Sequence, residues 1–258
     1  MGRLKIRPLK GWRAFIGEVG VIILGVLIAL GLGTVAEDIG WSFETRAARK
    51  AIGLELGENV AQGLERARTY RCVEKRLDQL AILVDKSAED SRLPPLGDIA
   101  TPPLHSWTTG TWESVVNAQT ATHFNREELG IYAAAYAYIE GLAATTGEER
   151  RAWIRLYPMV GPGRSLGPAE AAELIQAISE ARTINRVMSR RGLLLGQMVE
   201  AYGLHIDDAY MGEILNKALS DYAICKPIPG NVPPQYGQAP QEYTLERVEQ
   251  NPMRRIPL

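Results

Sequence analysis

The chain has 258 residues, of which 46% are hydrophobic and 23% are charged; this length allows a buried core and this composition excludes a disordered protein. The 29 basic and 30 acidic residues give a net charge of −1, but five of the basic residues and only one of the acidic residues precede Glu37. Residues 37–258 therefore carry a net charge of −5, which argues against a nucleic-acid-binding protein because such proteins need a basic surface.

The first predicted element is an uncharged apolar segment, residues 19–36. As a helix this segment is about 27 Å long, close to the thickness of the hydrocarbon core of a bilayer. Trp12 and Trp41 flank it, as aromatic residues do at membrane interfaces. A signal peptide cleaved after residues 34–36 is the alternative, but the hydrophobic region of a signal peptide is shorter. We therefore predict a retained transmembrane helix over residues 15–36.

The charges on either side of this helix predict its orientation. Five basic residues precede it, whereas the stretch that follows carries Arg46, Arg49 and Lys50 among acidic residues. Because the more basic flank stays in the cytoplasm, we expect residues 1–14 to be cytoplasmic and residues 37–258 to lie outside it. The predicted location is the inner (plasma) membrane, with a single pass and most of the chain in the periplasm.

One face of the predicted membrane helix carries small residues. Gly25, Ala29 and Gly33 are four residues apart, a spacing that lets two helices approach closely in lipid. Glu18 is seven residues before Gly25 and lies on the same face, within roughly 20°. These four residues, called here the small-residue stripe, predict a transmembrane interface in which Glu18 meets a basic or hydrogen-bonding partner. The alternative is that glycine is merely frequent in membrane helices and that Glu18 extends to the headgroups.

The rest of the chain shows helical periodicity. Residues 41–86 contain no proline and repeat apolar residues at three- and four-residue steps, which predicts a long helix that can bend near Gly40. Four prolines within residues 93–104 end it. Further helices are predicted over residues 111–122, from the N-cap Asn125 to residue 142, from about residue 148 to 157, for about 35 residues from Pro168, and over residues 207–224.

No segment shows the alternating pattern of a useful strand. We therefore predict an all-α fold: an N-terminal transmembrane helix, an antiparallel helical bundle over residues 37–225, and an extended proline-rich C-terminal tail over residues 226–258. In an oxidising compartment, the two cysteines, Cys72 and Cys225, are expected to form a disulfide that pins the start of this tail to the bundle. Two buried free thiols are the alternative.

The segment FIGEVGVIILGVLIAL, residues 15–30, precedes an acidic pair and a long helix that ends near RCVEKRLDQL, residues 71–80. With these features the chain resembles an uncharacterised family of single-span, membrane-anchored bacterial proteins. The resemblance covers the first third of the chain and, beyond it, only scattered features such as the region of Trp107 and EERRAWIRL, residues 148–156. It implies an anchored, extracytoplasmic helical domain and supplies no active-site residues.

No pattern of residues predicts a reaction. His105, His123 and His205 lack the paired spacing of a zinc site, and no serine lies in a GxSxG turn. The glycine-rich residues 161–168 lack the lysine of a phosphate-binding loop. The cluster of Arg186, Arg190 and Arg191 is typical of a solvated or ion-paired face, with an anion site as the alternative. We therefore predict no enzyme activity, no catalytic or metal-binding residue and no cofactor.

Two functions remain open. The favoured one is a membrane-anchored accessory or scaffold subunit that docks onto a larger membrane complex, or onto a second copy of itself, through the transmembrane helix and the bundle. The alternative is a periplasmic sensor or small-ligand-binding domain. Its pocket would be lined by the aromatic residues Trp107, Trp112, Tyr132, Tyr136 and Trp153, which could equally fill the core. The expected partners are the lipid bilayer and another membrane protein or a second copy, and no nucleic acid.

Overall fold

The computed structural model describes residues 11–207 and 209–228. Its helices are α1 (Trp12–Glu89), α2 (Gly110–Asn117), α3 (Arg126–Ile154), α4 (Pro168–Ala201) and α5 (Ala209–Asn216). Two-residue strands β1 (Arg92–Leu93) and β2 (Arg164–Ser165) form one short antiparallel ladder. The predicted all-α fold is confirmed, because a ladder of this size ties two loops together and forms no layer of the core.

Helix α1 runs through the whole molecule. It has 78 residues without a proline and is therefore about 117 Å long. The helix continues without a break through Gly40, the position where the sequence allowed a bend. From residue 15 to residue 40 every side chain is exposed, whereas buried positions recur along the helix from Thr45 onwards. A single element therefore carries both the apolar segment and one wall of the bundle.

Helices α1, α3 and α4 form the bundle. Helix α4 is antiparallel to α1, since Gly192 lies against Gly63 and Arg182, earlier in α4, pairs with Glu74, later in α1. Helix α3 has the same direction as α1, because Glu128 at its start pairs with Arg49 and a later residue of α3 pairs with a later residue of α1. The bundle is thus antiparallel for α1 with α4 and for α3 with α4, while α1 and α3 are parallel.

The parallel pair arises from the proline-rich connection, residues 90–109. Prolines prevent this segment from forming a helix, and it returns along α1 towards the apolar end of the molecule. Its Ile99 carbonyl accepts a hydrogen bond from Arg76, and its Thr108 carbonyl accepts one from Asn59, 2.9 Å away. Helix α3 therefore begins near residue 49 of α1 and not near the end of α1.

Three helix boundaries differ from the predicted ones. Helix α2 ends at Asn117 and is followed by a 3₁₀ turn, Thr120–His123, where the sequence predicted one longer helix. The two helices predicted around residues 125–142 and 148–157 are one helix, α3, which continues through Gly147. After α5 the chain forms two 3₁₀ turns that end at Cys225. Of the predicted tail, only residues 226–228 lie within the described chain.

The core lies between these helices and under the proline-rich connection. Trp153 of α3 and Ile99 of the connection are both almost completely buried. Large side chains with essentially no exposed surface come from every layer of the bundle: Ile52, Leu56, Leu77, Leu80, Leu83, Leu93, Ile139 and Leu195. Burial of this kind stabilises the bundle by about 1.5–3 kcal/mol for each large apolar side chain.

Candidate functional site

The exposed apolar segment of α1, residues 15–40, is the first candidate site. Its side chains project into open space on all faces; Ile22 is 65% exposed, Leu27 60% and Leu30 63%. The helix is long enough and apolar enough to cross a membrane, although a signal sequence near an N-terminus meets the same two criteria. A soluble protein rarely leaves such a continuous apolar surface uncovered.

The small-residue stripe lies within this exposed segment. Glu18 and Ala29 are exposed, and a Cβ atom built on Gly25 or Gly33 would meet no atom within 4 Å. The described chain therefore places nothing against the stripe. Docking of a second helix there stays a prediction.

The end of the bundle nearest the apolar segment is held by aromatic and charged contacts. The rings of Trp41 and His123 stack with their centroids 3.8 Å apart. Arg49 donates two hydrogen bonds to Glu128, of 2.6 and 3.0 Å, and these bonds raise the pKa of Arg49. Asn125 caps α3 as predicted, accepting a 2.8 Å hydrogen bond from the backbone N–H of Glu128. The start of α3 is therefore fixed beside the base of the bundle.

A buried ion pair crosses the middle of the bundle. Arg66 of α1 donates to Glu149 of α3 over 2.7 Å, and the two side chains are 1% and 0% exposed. Arg66 also donates to Asn185 and Thr69, each at 3.3 Å. Burial raises the pKa of Glu149, although the positive charge of Arg66 opposes this effect. Burial likewise lowers the pKa of Arg66. One oxygen of Glu149, Oε2, has no hydrogen-bond partner in the described chain, so the pair is incompletely compensated.

A second buried carboxylate fixes the start of α2. Glu55 accepts hydrogen bonds from the backbone N–H groups of Thr111 and Trp112, at 2.9 and 3.3 Å, in the first turn of that helix. It also accepts a 2.7 Å hydrogen bond from the Tyr136 hydroxyl. Burial, followed by the contact with Glu55, raises the pKa of Tyr136 well above its ordinary value. Glu55 of α1 is therefore hydrogen-bonded to both α2 and α3, and its negative charge lies at the N-terminus of α2, where it is stabilising.

The five aromatic residues of the sensor hypothesis lie in the core or pack against it. Trp153 and Tyr136 are each 1% exposed, and Trp112 stacks on Tyr136 with centroids 5.3 Å apart. Trp112 also lies 6.0 Å from Tyr132, and the Trp107 indole donates a 2.7 Å hydrogen bond to Thr146. Trp112 therefore packs against Tyr132 and Tyr136, and all five side chains help to fill the core, the alternative interpretation of these residues.

The three histidines lie apart from one another. His105 contacts Glu65, His123 stacks on Trp41, and the backbone of His205 lies against Gly53. Within residues 11–207 and 209–228, no three metal-ligating side chains come together. Each histidine thus has a structural neighbour in the bundle.

The arginines of α4 also have structural roles. Arg191 donates to the Thr145 hydroxyl at 2.9 Å and to the Gly141 carbonyl at 3.2 Å, so it ties α4 to α3. Arg186 and Arg190 are exposed. This arrangement matches the interpretation of the cluster as a solvated face better than an anion site.

The two cysteines lie together although 153 positions separate them in sequence. The Sγ atoms of Cys72 and Cys225 are 2.05 Å apart, a bonded distance, so the second of the C-terminal 3₁₀ turns is joined to α1. A cavity of about 530 Å³ adjoins this disulfide, and Arg76, Arg182 and Ile224 are among its lining residues. None of the five aromatic residues of the sensor hypothesis lines this cavity.

Comparison with models of known protein families, with curated proteins and with solved structures finds no match for this chain. The resemblance to single-span anchored proteins gains no support from these comparisons.

Sequence reasoning missed the buried polar residues, although a signal for them exists. Asn59, Arg66 and Val73 follow one another at seven-residue steps on α1, and all three are buried. Glu149 lies seven residues after the buried Leu142, on the same face of α3. A charged residue in register with a buried apolar row predicts an internal ion pair once the partner helix is known.

Proposed function

We propose that this protein is a membrane-anchored accessory or scaffold subunit without enzymatic activity. Its N-terminal helix docks through the small-residue stripe onto another membrane protein or a second copy of the chain. Its helical bundle stands outside the cytoplasm and presents a surface to the same assembly.

The observation that carries this proposal is the continuity of α1. All of residues 15–40 are exposed, yet the same helix, without a linker, forms a wall of the bundle from Thr45 onwards. Lipid or another helix must cover this apolar segment, because an exposed apolar surface of that size is unfavourable in water. A bundle held so rigidly on a membrane helix keeps one orientation relative to the bilayer, which suits a scaffold.

Two further observations support the compartment. The basic residues concentrate before the apolar segment, which favours a cytoplasmic N-terminus. The Cys72–Cys225 pair lies at bonded distance, and disulfides persist in oxidising compartments such as the periplasm. The proposed location is therefore the inner membrane, with the bundle in the periplasm.

The test is co-purification from solubilised membranes with a matched pair of variants. We expect Gly25→Leu/Gly33→Leu to release a stoichiometric partner, because two bulky side chains separate helices that pack through small residues. The control is Gly20→Leu/Gly31→Leu. These two glycines lie on the opposite face of the helix, and a Cβ atom on either would also meet nothing within 4 Å.

The readout is the amount of partner recovered in mild detergent. Recovery that is equal for the unchanged protein, the stripe variant and the control variant would remove the stripe as an interface. A chain that purifies without any partner and as a single copy would remove the scaffold proposal itself.

A sensor or ligand-binding domain is the second candidate, and the cavity beside the disulfide favours it. The continuous helix α1 would then connect a bound molecule to the membrane.

A further inference from the structure

The cavity beside Cys72 and Cys225 is enclosed by parts of the molecule that are far apart in sequence. The second half of α1 forms one wall, Arg182 of α4 contributes to another, and the C-terminal 3₁₀ turns close a third. Its volume of about 530 Å³ falls in the range of small-molecule sites. It lies apart from the small-residue stripe, and Asn185, which accepts a hydrogen bond from Arg66, donates one to Glu74 in its lining.

The lining of the cavity is cationic. Five basic and two acidic side chains line it: Arg71, Lys75, Arg76, Arg182, Lys226, Glu74 and Asp78. Both carboxylates already share one of these cations, since Arg182 lies 2.7 Å from Asp78 and 3.5 Å from Glu74. The seven groups together carry a charge of +3, so the cavity attracts anions.

Arg76 is the most deeply buried cation of the lining. The residue is 1% exposed, and its two terminal nitrogens donate to the backbone carbonyls of Ile99 and Lys226. Its Nε is buried and has no hydrogen-bond partner in the described chain. Burial lowers the pKa of Arg76, and the negative charge of Asp98 offsets this effect only in part. A guanidinium held mainly by carbonyl dipoles is incompletely compensated, and an anion beside it would be stabilised.

The remaining lining is apolar. Leu219, Ile224, Pro227 and the disulfide border the cavity next to the basic groups. This combination suits a molecule that has both an anionic group and a carbon skeleton.

The position of the cavity excludes the headgroups of the bilayer in which α1 would be anchored. Cys72 lies 36 residues beyond Ala36 on the same unbroken helix. That separation is about 54 Å along the helix axis, several times farther than a headgroup can extend. The ligand must therefore come from the aqueous compartment.

We propose that this cavity binds a water-soluble organic anion. Its carboxylate or phosphate group lies among the basic side chains of the lining, and its carbon skeleton packs against Leu219 and Ile224. The exposed Lys75 and Lys226 add attraction at the entrance.

The test is isothermal titration calorimetry of the full-length protein in nanodiscs at low salt, with empty nanodiscs as the blank. The probes are glutarate, butyl phosphate and the neutral glutaramide. We expect glutarate or butyl phosphate to bind and glutaramide not to bind, and whichever anion binds more tightly identifies the anionic group. Replacing both lysines, Lys75→Gln/Lys226→Gln, should weaken the Kd of that anion about tenfold, as two partly screened charges would.

A steric variant tests the same site without changing its charge. Ser220 is an exposed residue of the cavity lining, and Ser220→Trp should abolish binding by filling the cavity. Lys50→Gln, an exposed lysine on α1 far from the cavity, is the control and should leave the Kd unchanged. The absence of heat with both anions overturns the proposal, as does unchanged binding in a folded Ser220→Trp or in the double-lysine variant.

Discussion

The polar residues inside the bundle occupy positions that an apolar side chain would normally take. On α1, Asn59 and Arg66 share a row with Val73, and each is buried. Arg66 forms its ion pair with Glu149 from a different helix, and the charge of Glu65 adds to this stabilisation. Whether such a residue stabilises the fold therefore depends on its partner. When the partner is removed, the buried charge destabilises the protein.

The buried ion pair leads to the first residue-scale prediction. Glu149→Gln alone should lower the free energy of unfolding by about 3–5 kcal/mol, because it leaves the Arg66 charge buried without its counter-ion. The double variant Arg66→Met/Glu149→Leu should recover most of that loss, since neither charge then remains. Urea denaturation of Arg66→Met, Glu149→Leu and the double variant measures the coupling. A double variant as unstable as the two single changes combined would contradict this account.

The contact between Glu65 and His105 gives a pH dependence. Burial raises the pKa of Glu65, but the contacts with His105 and Tyr222 and the charges of His105 and Lys217 together lower it by more, so the net direction is downward. A carboxylate with a lowered folded-state pKa stabilises the protein above its unfolded pKa, about 4.3. That stability is lost as the pH falls through the lower folded-state value.

We expect His105→Gln to shift the acid loss of stability to higher pH, because the hydrogen bond and the charge of His105 then no longer oppose the effect of burial on the pKa of Glu65. Denaturation midpoints measured between pH 3 and pH 7 test this expectation. His205→Gln, a change at an exposed histidine, is the control and should leave the acid profile unchanged. Identical profiles for the His105 variant and the unchanged protein would show that this contact does not govern the titration.

At the scale of elements, close contact between α1 and α4 depends on glycine. A Cβ atom on Gly192 would lie 2.2 Å from the carbonyl oxygen of Gly63, and one on Gly63 would lie 2.9 Å from that of Gly192. The two backbones therefore touch where the helices cross. In the sequence, Gly63 reads only as a residue that weakens a helix, whereas in the structure it permits the packing.

Gly192→Ala should destabilise the bundle by about 1–3 kcal/mol, because the added methyl group forces the helices apart. Gly196→Ala, one turn later on α4, is the matched control. Its Cβ atom would lie 3.6 Å from Val60, an ordinary contact, and alanine favours a helix by about 1 kcal/mol over glycine. Thermal denaturation should thus show a lower Tm for Gly192→Ala and a higher Tm for Gly196→Ala. Equal shifts in Tm would show that the close helix crossing is not the cause.

At the scale of the whole molecule, the disulfide joins the end of the described chain to the middle of α1. Its two cysteines are 153 positions apart, so the bond closes a loop that contains most of the bundle. Cross-links over long loops restrict the unfolded chain and commonly stabilise a protein by about 2–5 kcal/mol.

We expect Cys72→Ser/Cys225→Ser, or reduction of the unchanged protein, to lower the free energy of unfolding by about 2–5 kcal/mol. Both cysteines should also resist alkylation in intact protein until a reductant is added. The double serine variant is its own control, because a reductant should not alter its stability. Rapid alkylation of protein isolated without a reductant would contradict both the bond and the proposed oxidising compartment.

Much of the helical architecture follows from local rules. Pro168 begins α4 and Asn125 caps α3, as their sequence positions predict. The helix breaks at the proline-rich connection and the long apolar segment are equally local features. The continuity of α3 through Gly147 was not predicted, because packing on α4 and the ion pair of Glu149 with Arg66 outweigh the low helix propensity of one glycine.

The sequence by itself determined the all-α class, the long first helix and the apolar segment, because periodicity, proline placement and hydropathy act over neighbouring residues. Only the tertiary structure decided the parallel arrangement of α1 and α3, the partner of Arg66 and the cationic cavity. Each of these depends on residues that are distant in the chain and become neighbours only when the proline-rich connection returns along α1 and the C-terminal turns meet it.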